Sequence, residues 1–93
     1  MEISFLRNSL KNNDPPQNLP IHLKALWYDA KGDWQKAHNL IQDLNDNTAA
    51  WIHAYLHRKE GDMGNADYWY SRAGKKMPQF SLEKEWEQLV NAL

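Results

Sequence analysis

The sequence of this 93-residue chain predicts an all-α fold. Apolar residues recur at helical spacing in several segments, and no segment shows the sustained alternation that is typical of a strand. Glycine-aspartate pairs at 32–33 and 61–62 stand where one helix should end and the next begin. A chain of this length supports one hydrophobic core, so we expect a single domain over residues 1–93.

Composition argues against several classes of function. The 11 basic and 12 acidic residues leave a net charge of −1, which does not favour a nucleic-acid partner. No segment reaches the roughly 20 consecutive apolar residues of a membrane span, and the N-terminus has no apolar run of signal-peptide length. The absence of cysteine excludes disulfides and thiolate metal sites, and we expect a cytoplasmic protein.

The N-terminal segment is predicted to be a short helix followed by a linker. Ile3, Leu6 and Leu10 share one face of a helix over residues 2–11. Residues 12–20, NNDPPQNLP, then interrupt the helical pattern. Adjacent prolines lack N–H donors and push the residue before them out of the α region.

Two pairs of helices are predicted after the linker, at about residues 21–44 and 49–74. Each pair turns at a glycine-aspartate corner, because glycine adopts positive φ easily and aspartate caps the next helix. Small residues match around the two corners at an offset of 29 residues: Ala25, Gly32, Asp33 and Ala37 correspond to Ala54, Gly61, Asp62 and Ala66.

A last helix over residues 82–92, capped by Ser81, is predicted from a continuous apolar stripe. The stripe consists of Leu82, Trp86, Leu89, Val90 and Leu93. Two helix pairs fall short of the three or so repeats that a stable stack needs. We therefore expect this helix to cover the apolar face of Met63–Ala73.

The repeated unit resembles the tetratricopeptide repeat. Residues at that motif's spacing are Ala54, Gly61, Ala66, Tyr70, Ala73 and Pro78 in the second pair, and Ala25, Tyr28, Gly32 and Ala37 in the first. The resemblance implies two stacked hairpins, with the N-terminal segment and a capping helix at either end. The stretches ALWYDAKGDWQKAH and AWIHAYLHRKEGDMGNADYWYSRAG are also similar to a family of short uncharacterised bacterial proteins. That resemblance implies a small self-contained domain and supplies no catalytic residue.

Two histidines of the fourth predicted helix, His53 and His57, lie one turn apart on one face. Imidazoles at that spacing can chelate a metal, but a zinc site needs at least three protein ligands. The candidates for the third are His38, Asp62 and Asp67. We favour the alternative that both histidines pack between the hairpins, where burial lowers their pKa and acid destabilises the fold. We therefore predict no metal and no other cofactor.

The aromatic cluster Tyr68, Trp69 and Tyr70 cannot face the core as a whole, because successive helical residues turn by about 100°. We expect the last helix to cover two of these rings through Trp86. The third ring is left partly exposed, as a recognition anchor or a surface for self-association.

A binding surface follows from the tetratricopeptide resemblance, in which the first helix of each hairpin lines the concave face. By spacing, this surface carries His22, Asp29, Trp51, Tyr55, Arg58 and Lys59. An aromatic pair beside two cations suits an acidic or C-terminal peptide. The alternative is that these residues are ordinary core and surface.

The function that we favour from the sequence is a non-catalytic module that binds a protein or peptide. No nucleophile elbow, phosphate-binding loop or dinucleotide fingerprint is present, so no catalytic residue is predicted. One alternative is a metal- or small-ligand-binding protein, which includes an enzyme, centred on His53, His57 and His38. The other is a structural protein that forms homo-oligomers.

Overall fold

The computed structural model describes residues 1–93 and confirms the all-α prediction, with six helices and no strand. The helices are α1 (Ile3–Ser9), α2 (Ile21–Ala30), α3 (Trp34–Ile41), α4 (Asn47–Glu60), α5 (Met63–Arg72) and α6 (Leu82–Ala92). None of them is long and apolar enough to cross a membrane.

The helix boundaries follow the predicted caps. Gly32 and Gly61 adopt positive φ, +89° and +87°, where α2 and α4 give way to the next helix. The Asp33 carboxylate accepts from the Lys36 amide at 3.1 Å, and Asp62 accepts from the Asn65 amide at 3.3 Å. These corners hold α2 against α3 and α4 against α5, the two most extensive helix contacts of the fold.

The boundary between α3 and α4 differs from the prediction. The Asp46 carboxylate accepts from the Ala49 amide at 2.8 Å and thereby starts α4 at Asn47, two residues early. Helix α3 ends at Ile41 rather than at residue 44, because the chain must turn before this cap. Leu44 closes that turn through a hydrogen bond from its amide to the Ile41 carbonyl.

Helix α4 lies at the centre of the molecule and packs on α2, α3, α5 and α6. Its buried residues are Ala49, Ala50, Ile52, His53, Ala54, Tyr55, Leu56 and His57. This burial on several sides explains why apolar residues occupy nearly every side of α4 before Arg58.

Helix α6 packs mainly on α1, α2 and α4, and α5 reaches it through the Tyr70–Glu85 hydrogen bond. This corrects the expectation that α6 covers the apolar face of α5. The Trp86 indole donates to the Leu26 carbonyl at 3.0 Å, and Leu89 and Val90 are fully buried. The reason is that α5 buries only Ala66 and Tyr70 and meets α4 on that side. Helices α2 and α4 together present a larger apolar face than α5 does, and α6 packs on that face.

The N-terminal segment docks through polar contacts as well as apolar ones. Leu6 is fully buried, and the Trp27 indole donates to the Ser9 hydroxyl at 3.0 Å. The Lys31 ammonium donates to the carbonyl oxygens of Leu10 and Asn12 at 2.7 and 2.9 Å. The start of the linker is therefore tied to the end of α2.

Deletion of Ser81–Leu93 should abolish cooperative unfolding. The deletion uncovers the apolar face of α2 and α4 and leaves Arg58 without its buried carboxylate partner. Circular dichroism during heating measures this. A truncated chain that still melts in one sharp transition would show that the remaining helices form a stable core without α6.

Candidate functional site

The carboxylate of Glu85, on α6, is fully buried. Its Oε2 accepts from the Trp51 indole at 3.1 Å and from the Tyr70 hydroxyl at 2.6 Å. Its Oε1 accepts from Arg58 Nη1 at 2.8 Å, and the same guanidinium donates to the Phe80 carbonyl. One cation and two neutral donors thus compensate a charge that water cannot reach.

Asp29, on α2, is a second buried carboxylate with similar partners. It accepts from the Tyr55 hydroxyl at 2.8 Å and from the Lys59 ammonium at 2.9 Å. Burial and the Asp29 charge raise the pKa of Tyr55 far above its ordinary value. Burial and Glu85 raise the pKa of Tyr70 in the same way, so both tyrosines remain hydrogen-bond donors.

The six residues of the predicted binding surface do not form one exposed groove. Asp29 and Tyr55 are buried, and the Arg58 side chain is only 14% exposed because it pairs with Glu85. Nε2 of His22 lies 2.9 Å from Oδ1 of Asp46, a residue outside the predicted surface. Trp51 and Lys59 are left at the edges of two separate clefts. Helix α6 supplies the partner of Arg58 and lies outside the repeat from which this surface was predicted.

The first cleft, of about 280 Å³, has charges that are already paired within the chain. The Lys59 ammonium pairs with Asp29, while Arg7 pairs with Glu83 and Glu87. The cleft is lined by Arg7, Leu10, Asp29, Ala30, Tyr55, Lys59, Leu82, Glu83 and Trp86. Internal pairing leaves no free cation here for an acidic ligand.

The second cleft, which we call the Trp51 cleft, has a volume of about 390 Å³. The Lys75 ammonium lies 4.1 Å from the centre of the Trp51 ring, and neither Lys75 nor Lys76 forms an ion pair. The cleft is lined by Trp51, Lys75, Lys76, Met77, Pro78, Phe80, Glu85 and Gln88. It therefore combines apolar surface with two free cations.

Most residues of this cleft were not predicted from the sequence. Lys75, Lys76 and Phe80 lie in the connection before α6, for which the sequence predicts no position in space. The position of Glu85 in the sequence, by contrast, does indicate that it is buried. It lies three residues after Leu82 and four before Leu89, on the apolar stripe of its helix. A carboxylate on such a stripe indicates a buried partner of opposite charge.

The three histidines considered as metal ligands come together. His38, from α3, has its Nε2 3.0 Å from Nε2 of His53, and the rings of His53 and His57 stack 4.9 Å apart. The donor atoms of all three rings lie within 4.8 Å of one another. Of the other candidates, Asp62 joins a neighbouring group with His57 and Glu60, whereas Asp67 belongs to neither group.

Two tryptophans flank the histidines. Trp34 stacks on His38 with ring centres 4.9 Å apart, and Trp69 stacks on His53 at 3.9 Å. Burial and the neighbouring His38 and His57 lower the pKa of His53 to about 4. Burial and His57 also lower the pKa of His38. Both rings are therefore neutral at pH 7.

The aromatic cluster of α5 divides between core and surface. Tyr70 is buried, Trp69 is half-buried and Tyr68 is 53% exposed. Trp86 does not cover them, because its indole lies against α2. Arg72 instead lies over the Tyr68 and Trp69 rings. Exposure of one ring of the three agrees with the geometry expected of consecutive helical residues.

No family model matches the chain, and neither the curated proteins nor the solved structures contain a significant match.

Replacement of Arg58 by alanine should lower the free energy of unfolding by about 3 kcal/mol, because Glu85 would stay buried without a cation. Urea denaturation measures the change. Arg7→Ala is the matched control: this arginine is 41% exposed, and loss of its surface pairs should cost no more than about 1 kcal/mol. Equal losses in the two variants would contradict the assigned role of the buried pair.

Acid should destabilise the fold through His53. Its pKa of about 4 in the folded chain lies below the ordinary value of 6.5, so the unfolded chain takes up the proton first. Stability is therefore complete above about pH 6.5 and is lost as the pH falls towards 4. The loss from His53 alone is about 3 kcal/mol, at about 1.4 kcal/mol per pKa unit.

Urea denaturation between pH 7 and pH 4, with EDTA present, measures this dependence. Carboxylates also titrate near the acid end, so the informative quantity is the difference from a His53→Gln variant. That variant should lose less stability over the same range. Parallel profiles would show that protonation of His53 does not contribute.

Proposed function

We propose that this protein is a non-catalytic module that binds an acidic segment of a partner protein in the Trp51 cleft. The observation that carries the proposal is the placement of Lys75 over the Trp51 ring, with no carboxylate of the chain bound to it. The other cations near the clefts, Arg7, Arg58 and Lys59, already have internal partners.

The chemistry of the cleft suits a peptide that carries both carboxylates and an apolar side chain. Lys75 and Lys76 offer ammonium groups for charge-assisted hydrogen bonds with glutamate or aspartate. Met77, Pro78 and Phe80, a residue that is 37% exposed, offer apolar surface beside them. Such a mixture of an aromatic anchor and a polar rim is typical of protein interfaces.

The inner wall of the cleft is held in place before any partner binds. The Trp51 indole donates to Glu85, and the Phe80 carbonyl accepts from Arg58. Because these groups are already ordered, binding would cost less conformational entropy than it would on a mobile surface. The Glu85 carboxylate does not repel an acidic peptide directly, since Arg58 neutralises it.

The finer architecture that we propose is a pair of tetratricopeptide-like hairpins, α2–α3 and α4–α5. Equivalent local geometry at the two corners supports this proposal. The Asp33 amide donates to the Tyr28 carbonyl and the Asp62 amide to the His57 carbonyl, both at 2.9 Å. The alanines that follow, Ala37 and Ala66, are both fully buried. A cytoplasmic location stays a prediction from the cysteine-free composition.

Short peptides with a central leucine or phenylalanine among glutamates should bind in this cleft, and the same peptides with lysine for glutamate should not. Two-dimensional NMR of the ¹⁵N-labelled chain measures binding and locates it. We expect shifts in the amides of Trp51 and of residues 75–80, weakened by added salt. Shifts confined to other residues, or none at millimolar peptide, would refute the proposal.

Charge reversal at Lys75 should weaken binding of the acidic peptides about tenfold or more, equivalent to about 1.4 kcal/mol. Reversal at Lys76 should act in the same direction. Lys11→Glu is the matched control, because it makes the same change of charge at an exposed residue outside the cleft. If Lys11→Glu weakened binding equally, the effect would reflect net charge rather than this site.

A further inference from the structure

Three imidazoles from α3 and α4 converge at a place separate from the Trp51 cleft. We propose that His38, His53 and His57 bind one divalent ion of the zinc class. Nothing in the peptide-binding proposal requires this site, and its residues do not line that cleft.

The spacing of the rings fits a single ion. Two nitrogens bound to zinc at about 2.0–2.1 Å in tetrahedral geometry lie about 3.3 Å apart. Nε2 of His38 and Nε2 of His53 are 3.0 Å apart, so a small rotation of either ring brings them to that separation. The third donor, from His57, lies within 4.8 Å of both.

The protons of the cluster also suit metal binding. Each neutral imidazole carries one N–H and one lone pair. Nδ1 of His57 lies 2.8 Å from the Glu60 carboxylate, so the N–H points to Glu60 and the Nε2 lone pair is free. A carboxylate that accepts from the outer nitrogen is the usual support of a metal-bound histidine.

The other two rings share one hydrogen bond through their Nε2 atoms. When an ion replaces this bond, the proton that it holds moves through solvent to Nδ1 of the same ring. Both Nε2 lone pairs then face the ion, and neither ring changes its charge. Nδ1 of His38 is buried and has no hydrogen-bond partner, so His38 lacks the outer support that Glu60 gives to His57.

The surroundings restrain the rings. Trp34 stacks on His38, and its own indole donates to the Leu56 carbonyl at 2.7 Å. Trp69 stacks on His53 from the opposite hairpin helix, α5. Restrained rings reduce the entropy that ligands lose on binding, and the apolar indoles limit access of water to the ion.

The donor set selects the class of ion. Three imidazoles suit zinc, nickel, cobalt or copper, whereas calcium and magnesium prefer oxygen ligands. Three protein ligands leave a fourth position for water or another ligand. Zinc is the expected natural occupant, and cobalt is its spectroscopic substitute.

Titration of EDTA-treated protein with zinc in a calorimeter, and with cobalt under visible spectroscopy, tests the proposal. We expect one equivalent to bind, the cobalt spectrum to show four-coordinate bands, and magnesium not to compete. Zinc should also raise the melting temperature, because it binds the folded chain. Weak binding of several equivalents, or competition by magnesium, would overturn the proposal.

Variants identify the ligands. His53→Gln and His57→Gln should lose binding at concentrations that saturate the unaltered protein, and Glu60→Ala should weaken it about 10- to 100-fold. His22→Gln is the matched control, because His22 is the one histidine outside the cluster. Equal loss in His22→Gln, or full binding by His53→Gln, would contradict the assignment.

A measurement on the unaltered protein avoids dependence on whether the variants fold. Nickel or cobalt at one equivalent should broaden the ring proton signals of His38, His53 and His57, and those of the stacked indoles of Trp34 and Trp69. The His22 signals should stay sharp. Broadening centred on His22 would refute the site even if stoichiometric binding were observed.

Discussion

The neutralisation of one carboxylate in the protein interior governs how the helices meet. Glu85 is fully buried, and an ion in such a place costs several kcal/mol unless it is paired and hydrogen-bonded. Arg58 supplies the opposite charge, while Trp51 and Tyr70 supply further hydrogen bonds. Because the donors come from α4 and α5 and the acceptor from α6, the three helices can meet in few other ways.

Asp29 ties α2 to α4 by the same chemistry, through Tyr55 and Lys59. Helix α4 therefore donates to two buried carboxylates on two neighbouring helices. Apolar side chains tolerate small rotations and slips of a helix, whereas a buried carboxylate is satisfied only where its donors lie. The apolar contacts provide most of the driving force for folding, and these two networks restrict the register of α4.

The two proposed sites also share α4, on different sides of it. Trp51 borders the connection before α6, whereas His53 and His57 contact α3 and α5. Successive residues of a helix point about 100° apart, so a central helix can serve separate sites from neighbouring positions. One side of α4 thus contributes the Trp51 ring to the Trp51 cleft, and another side contributes His53 and His57 to the histidine cluster.

Sequence by itself determined the local features of this protein. It determined the glycine-aspartate corners, the Ser81 cap and the helical conformation of each segment. These features depend on residues a few positions apart, whose interactions form within one turn. Only the tertiary structure decided that Glu85 meets Arg58, 27 residues away, and that His38 rather than Asp67 joins His53 and His57. Those contacts depend on how each helix is rotated against its neighbours. That rotation is set by the packing of side chains from all six helices together, which periodicity along one segment does not encode.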